Sequence, residues 1–283
     1  MTTRRLLASL ALLALLAVAC GRLNDSGGGG IDHPTGADQP VLRMDTAGGF
    51  VPPSYSMRQI PTWSLYGDGR LITQGPQIEI YPPPALPNVL VTPISEDGVQ
   101  AILQAAKDTG LMGPNADYPY ACITDMPVTT FTLVADGQTH VISAYALGQA
   151  QGPCPGADTE ARDKLAAFQA KLTDLQSWLP EGSIGGEKSF DPSELRVYVQ
   201  PYTGTGDPNL TEPPQAWPLQ TPLATFGEAS KDLQDTRCGV VSGADLTTLL
   251  PEAQRSNQLT PWTSDGTEYL LIFRPLLPDE HGC

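Results

Sequence analysis

Cys122, Cys154, Cys238 and Cys283 are the residues of this chain best able to form covalent bonds, together with Cys20 near its start. Thiolates can hold zinc, but no two of these stand in a C-x-x-C pair, so no metal site is expected. An even number of cysteines beyond Cys20 reads instead as two disulfides, which implies an oxidising compartment. The three histidines form no acid–base pattern. His33 falls in a polar, glycine-rich stretch and His140 in the middle of a strand-like run. His281 ends Asp279-Glu280-His281, which reads as an exposed polar tail rather than a cation site. Acidic residues number 31, and paired carboxylates are the machinery of glycoside hydrolysis, but so many acids single out no pair. The spacings H-E-x-x-H, G-x-G-x-x-G, G-x-S-x-G and S-x-x-K are all missing, as is a phosphate loop. No catalytic residue and no cofactor is expected.

Loop aromatics are a softer signal. Tyr118-Pro119-Tyr120 stands just before Cys122, Trp217-Pro218 in a proline-rich stretch, and Trp262 in a later loop. Aromatics so placed either anchor partners or cap small cores. Tyr118, Tyr120, Trp217 and Trp262 are therefore candidate contacts for an unknown protein or small ligand. The formal net charge is −15, and becomes −17 if residues 1–19 are removed with Arg4 and Arg5. That balance excludes nucleic acid, which needs a basic face, and favours solubility.

The elements that must position these residues are short. Glycine and proline number 28 each, a composition rich in turns. Residues 41–44 make a first strand. Trp63 and Leu65 alternate with Thr62 and Ser64, Gly67-Asp68-Gly69 turns the chain, and residues 70–73 return. Residues 77–81 add a further strand, stopped by Pro82. Ser95 caps a helix whose apolar stripe is Val99, Ile102, Leu103 and Ala106, and Gly110 ends it. The pattern then recurs: residues 129–134, the Asp136-Gly137 turn, residues 139–144, and a helix over residues 157–178. Two hairpins and two helices predict one four-stranded antiparallel sheet with both helices on one face.

Residues 181–192 read as a linker. Beyond it come strands at 195–199, 238–241 and 269–273, and a helix over residues 243–256 that Pro251 would kink. The expected fold class is α+β, with a larger domain over residues 41–180 and a smaller α+β domain over 193–283. Four cysteines allow three pairings. Cys122–Cys154 with Cys238–Cys283 keeps each bridge inside one domain.

The start of the chain carries Arg4 and Arg5, then an apolar run over residues 6–19. Fourteen helical residues span about 21 Å, short of the roughly 30 Å hydrocarbon core, which suits a signal peptide. The run ends Leu16-Ala17-Val18-Ala19-Cys20-Gly21, which resembles the lipobox of bacterial lipoproteins, although leucine is more usual at the Ala17 position. The resemblance implies removal of residues 1–19, a diacylglyceryl group with palmitate-like chains on Cys20, and attachment to the outer face of the cell membrane. Two acyl chains suffice for stable anchoring. Residues 20–40, with Gly27-Gly28-Gly29-Gly30, then read as a flexible tether.

A second resemblance covers residues 58–180. Trp63-Ser64-Leu65-Tyr66-Gly67-Asp68-Gly69, followed later by Thr124-Asp125-Met126-Pro127 and the Asp136-Gly137 hairpin, is similar to a Y-G-D-G hairpin domain of bacterial envelope proteins. It implies fold and no activity. Together these readings predict a lipid-anchored binding module with at most one apolar patch and no buried cluster of ionisable groups. The alternatives are an extracellular hydrolase with two carboxylates in a cleft, and an inhibitor of an extracellular enzyme using the Tyr118–Cys122 region as a wedge.

Overall fold

The computed structural model describes residues 29–149, 153–207, 209–210, 212–231 and 233–283. Residues 1–28 lie outside these, and with them the signal segment, Cys20 and the first part of the tether. In chain order the elements are β1 (Pro40–Gly48), α1 (Pro53–Arg58), β2 (Trp63–Tyr66), β3 (Arg70–Gln74), β4 (Val89–Pro93), α2 (Glu96–Thr109), β5 (Ala116–Tyr118), β6 (Pro127–Ala135) and β7 (Gln138–Tyr145). There follow α3 (Thr159–Thr173), β8 (Lys188–Ser189), β9 (Glu194–Pro201), β10 (Gln215–Ala216), β11 (Glu228–Ala229), β12 (Arg237–Ser242), α4 (Gly243–Arg255), β13 (Pro261–Ser264) and β14 (Thr267–Pro275).

The expected four-stranded antiparallel sheet is corrected. The strands form two mixed sheets, one of eight strands in the order β5-β7-β6-β1-β2-β3-β4-β8 and one of six in the order β10-β13-β14-β9-β12-β11. Both expected hairpins are present, β2–β3 and β6–β7, but β1 lies between them and pairs with β2 on one side and β6 on the other. Its side chains explain the position. Leu42 and Met44 are buried in the helix-facing core, while Arg43 reaches Ser64 and Tyr66 from the other face. A strand covered on both faces belongs in the middle of a sheet, where both edges are also satisfied. Parallel pairing enters once in each sheet, at β5–β7 and β10–β13. Residues 77–81, expected as a strand, join neither sheet.

Local chemistry sets the first layer. The Ser95 hydroxyl accepts from the Gly98 amide, Glu96 and Asp97 occupy the first turn, and Gly110 closes α2 in the left-handed region (φ 96°). Gly69 (φ 83°) tightens the β2–β3 turn, donating to the Tyr66 carbonyl at 2.9 Å, and a Cβ there would collide with the Ile94 carbonyl. Helices α2 and α3 both pack on the core that holds Trp63, Leu65, Phe131 and Leu133, and Phe131 meets Phe168 with ring centroids 5.9 Å apart.

The second sheet has its own core. Val197, Val199, Leu271 and Phe273 pack with Leu246 and Leu249 of α4, and Pro251 lies inside that helix. Both sheets belong to one compact unit, Ile31–Cys283. A third cluster of Ile60, Tyr66, Ile72, Val89 and Leu277 joins them. Cys122–Cys154 and Cys238–Cys283 are both disulfides.

Residues 31–39 were read as the end of a tether, but they are packed. Ile31 is buried and exchanges two hydrogen bonds with the Gln100 side chain. Asp32 accepts from the Asp136 amide at 2.8 Å, and His33 Nε2 lies 3.1 Å from Glu96 Oε1. Packing onto the fold is therefore already present at Ile31 and Asp32, about ten residues earlier than the composition suggests.

Candidate functional site

Ionisable side chains meet where the C-terminal segment crosses the back of the first sheet. Arg43 donates to Asp279 at 2.9 and 2.7 Å, to Tyr66 Oη at 3.0 Å and to Ser64 Oγ at 3.0 Å. The Tyr66 hydroxyl donates to Asp279 Oδ1 at 2.6 Å. Arg274 forks onto Glu280 at 2.8 and 2.7 Å and donates to the Gln59 carbonyl, and Glu280 also accepts from the Leu277 amide. Burial pushes the Asp279 carboxyl up, but hydrogen bonds from Arg43 and Tyr66 outweigh it, and the group titrates below the ordinary carboxylate range. Asp45 shifts the other way: burial raises it, and its Oδ1 has no hydrogen-bond partner.

Two sequence expectations are overturned here. Asp279 and Glu280 are not an exposed tail, and a buried ionisable cluster does exist. Its chemistry is nonetheless that of a clasp. Each of the two carboxylates, Asp279 and Glu280, takes a bidentate arginine. Among the described residues no group of three or more His, Cys, Asp or Glu is placed to hold a metal ion.

The four candidate aromatics fall into two places. Tyr118 ends the edge strand β5, and Tyr120 is buried. The buried Arg162 of α3 donates to the Tyr118 carbonyl at 2.9 Å and lies 4.8 Å from the Tyr120 ring centroid. The Cys122–Cys154 bridge ties the same loop. Beside it lies an open hollow of about 420 Å³ lined by Asp117, Tyr120, Ile123, Val128 and Tyr145. Arg162→Met should cost about 2 kcal/mol, since charge-assisted bonds and a cation over a ring are lost together. Urea unfolding of the variant, with faster amide exchange at residues 118–122, checks this.

Trp217 and Trp262 are core residues and offer no outer face. They form an edge-to-face run, Phe226–Trp217–Trp262–Phe273, with centroids 5.6, 6.2 and 5.5 Å apart. Their role is the capping of a small core, which is the other reading open to aromatics in proline-rich chain.

The surface that the sequence did not single out is the loop between β3 and β4. Ile78, Ile80 and Tyr81 are 63%, 56% and 69% exposed. Ile78 also lines an open cavity of about 390 Å³, together with Leu86, Val89, Phe190 and Leu250 and with the polar Asn88 and Gln254. Both ends of the loop are pinned. Gly75 donates to the Asn88 carbonyl and Asn88 Nδ2 to the Pro76 carbonyl, each at 3.0 Å. The Gln258 amide donates to the Pro83 carbonyl at 2.9 Å, and Ala85 to the Ser256 carbonyl at 3.1 Å. A third hollow, of about 500 Å³, is lined by Asp32, His33 and Asp38 among others. Its two carboxylates are exposed, and His33 is engaged by Glu96.

No family model, curated protein or solved structure matches this chain. Function must be read from these surfaces alone. None of these three cavities brings together two buried carboxylates, the pair that the carboxylate-based hydrolase reading would use. The loop over residues 76–88 combines large apolar side chains, an adjoining hollow of mixed but largely apolar lining, and fixed ends, which are the attributes of a contact surface. Its sequence signal was the run Gln77-Ile78-Glu79-Ile80-Tyr81, a strand pattern that finds no strand partner among the described residues.

Proposed function

We propose that the protein is a lipid-anchored envelope protein, held through Cys20 on the extracytoplasmic face of the cell membrane, whose folded part is a binding module and not an enzyme. The observation that carries the binding reading is the exposure of Ile78, Ile80 and Tyr81 on a pinned loop, where Ile78 lines a largely apolar cavity. Exposed apolar side chains on a mobile loop would cost little to leave unbound, but a fixed loop keeps them in water permanently. Support for export comes from Arg4, Arg5 and the apolar run before Cys20, and from two disulfides, which persist in oxidising compartments. Among the described residues no helix is long and apolar enough to cross a membrane.

Cys20→Ala should move the protein from the membrane fraction to the soluble fraction, and mass spectrometry of the mature N-terminus should find acyl chains on Cys20. A photo-crosslinking residue at position 80 should capture a discrete partner in cells. A second reading, an inhibitor presenting the braced Tyr118–Cys122 loop, is favoured by Phe50, which is 92% exposed and donates its amide to the Asp125 carbonyl on that loop's flank. Crosslinks from position 50 and none from position 80 would favour the inhibitor.

A further inference from the structure

We infer that residues 77–81 are an unpaired strand that accepts an extended, cationic segment of a partner protein by backbone addition. This rests on the binding-module reading and names the partner's chemistry. Gln77-Ile78-Glu79-Ile80-Tyr81 is strand sequence, with β-branched and aromatic residues and a period of two. Yet among the described residues no backbone hydrogen bond involves any amide or carbonyl of this segment, and it stands in neither sheet. Backbone donors and acceptors in a row, beside exposed isoleucines, are a template for another strand.

Three features select the occupant. The segment is held at Gly75 and Pro76 on one side and at Pro83 to Ala85 on the other, so little ordering is needed on binding. In the extended form that strand addition needs, Ile78 and Ile80 would face one side and Glu79 the other. Ile78 lines the 390 Å³ cavity, so apolar side chains of an added strand would reach into it. Charge decides between partners. Glu79 enters no ion pair among the described residues, and the whole chain carries −15. A segment alternating apolar and basic residues therefore complements the site. A second copy of this chain does not: antiparallel pairing about the centre would set Glu79 against Glu79, about 5 Å apart, between two bodies of like charge.

The test uses the full chain in detergent and three synthetic seven-residue peptides. One alternates lysine and valine, one alternates glutamate and valine, and one repeats the first with N-methyl groups on alternate residues. Fluorescence anisotropy should show binding of the lysine–valine peptide alone. Amide exchange at residues 78–81 should slow by about tenfold or more on binding. Glu79→Lys should weaken that binding by about tenfold without moving the unfolding midpoint. Equal binding of the N-methylated peptide would overturn backbone addition, as would protection confined to other residues. Self-association that Ile80→Pro abolishes would assign the segment to a second copy and sink the proposal. If no peptide binds while position 80 still crosslinks a partner in cells, strand addition falls and the binding-module reading stands. Loss of both removes both.

Discussion

Asp279→Ala should lower stability by about 3 kcal/mol at pH 7 and by less at pH 3. The first figure follows from what the change leaves behind: a buried arginine with no carboxylate, the costly half of a broken ion pair. Both side chains of the Arg43–Asp279 pair are only 19% exposed, so solvent does little to screen the loss. The pH dependence follows from linkage. The folded-state carboxyl titrates below its unfolded value of about 3.9. The unfolded chain then binds more protons in acid, and the stabilisation is complete above roughly pH 5 and lost as the pH falls through the folded value.

Asp45 has the opposite sign. Its raised value makes its ionised form a cost that grows as the pH rises. The wild-type curve therefore blends the two, whereas the difference between wild type and Asp279→Ala isolates the clasp. Urea midpoints at pH 7, 5, 4 and 3 give that difference. A deficit that stays constant over this range would mean that Asp279 acts by packing and not by charge. Arg43→Met with Asp279→Leu should recover only part of the loss, because it leaves no charge unmatched but takes the partners from the buried Tyr66 and Ser64 hydroxyls.

The clasp also shows where reading the sequence stops. Local rules located what local chemistry builds. Gly67-Asp68-Gly69 and Asp136-Gly137 turn the chain where expected, and Ser95 and Gly110 bound α2. The disulfide pairing followed from keeping each bridge inside one proposed domain. β13 was missed although Asp265-Gly266, with φ 50° and 76°, is the same turn signal as Asp136-Gly137. That strand was readable by a rule already in use.

Other features have no local signature. Nothing near residue 43 announces a partner 236 positions away, and nothing in residues 40–48 says that this strand divides two hairpins. Register between distant strands is set by which faces are buried together, a property of the assembled sheet. The same limit explains the site. Residues 77–81 were read as a strand because their alternation is real, but whether a strand has a neighbour is not a local property. Trp217 and Trp262 were ambiguous for the converse reason, since a loop over a core and a loop over water look alike in sequence.

Replacing Cys238 and Cys283 by serine should cost about 4 kcal/mol. The bridge closes a separation of 45 residues, and the chain-entropy model assigns that loop about 4 kcal/mol. Cys122–Cys154 closes 32 residues, for which the same model gives about 3.7 kcal/mol. Chain entropy alone thus makes the two bridges nearly equal, and any larger gap between them has another source.

The structure supplies one. Cys283 ends the segment that carries Asp279 and Glu280 onto the first sheet, and the Gly282 carbonyl accepts from Arg196 at 2.7 Å. With the bridge cut, the clasp must hold this segment alone; with the clasp cut, the bridge must. Cys238→Ser/Cys283→Ser combined with Asp279→Ala should therefore depart from additivity by more than about 0.5 kcal/mol, the usual scatter for independent sites. Cys122→Ser/Cys154→Ser with Asp279→Ala should add within it. Denaturant unfolding of the six proteins measures both couplings. Additivity in both would mean that disulfide and clasp hold the C-terminal segment independently, and that the last eight residues are two attachments rather than one latch.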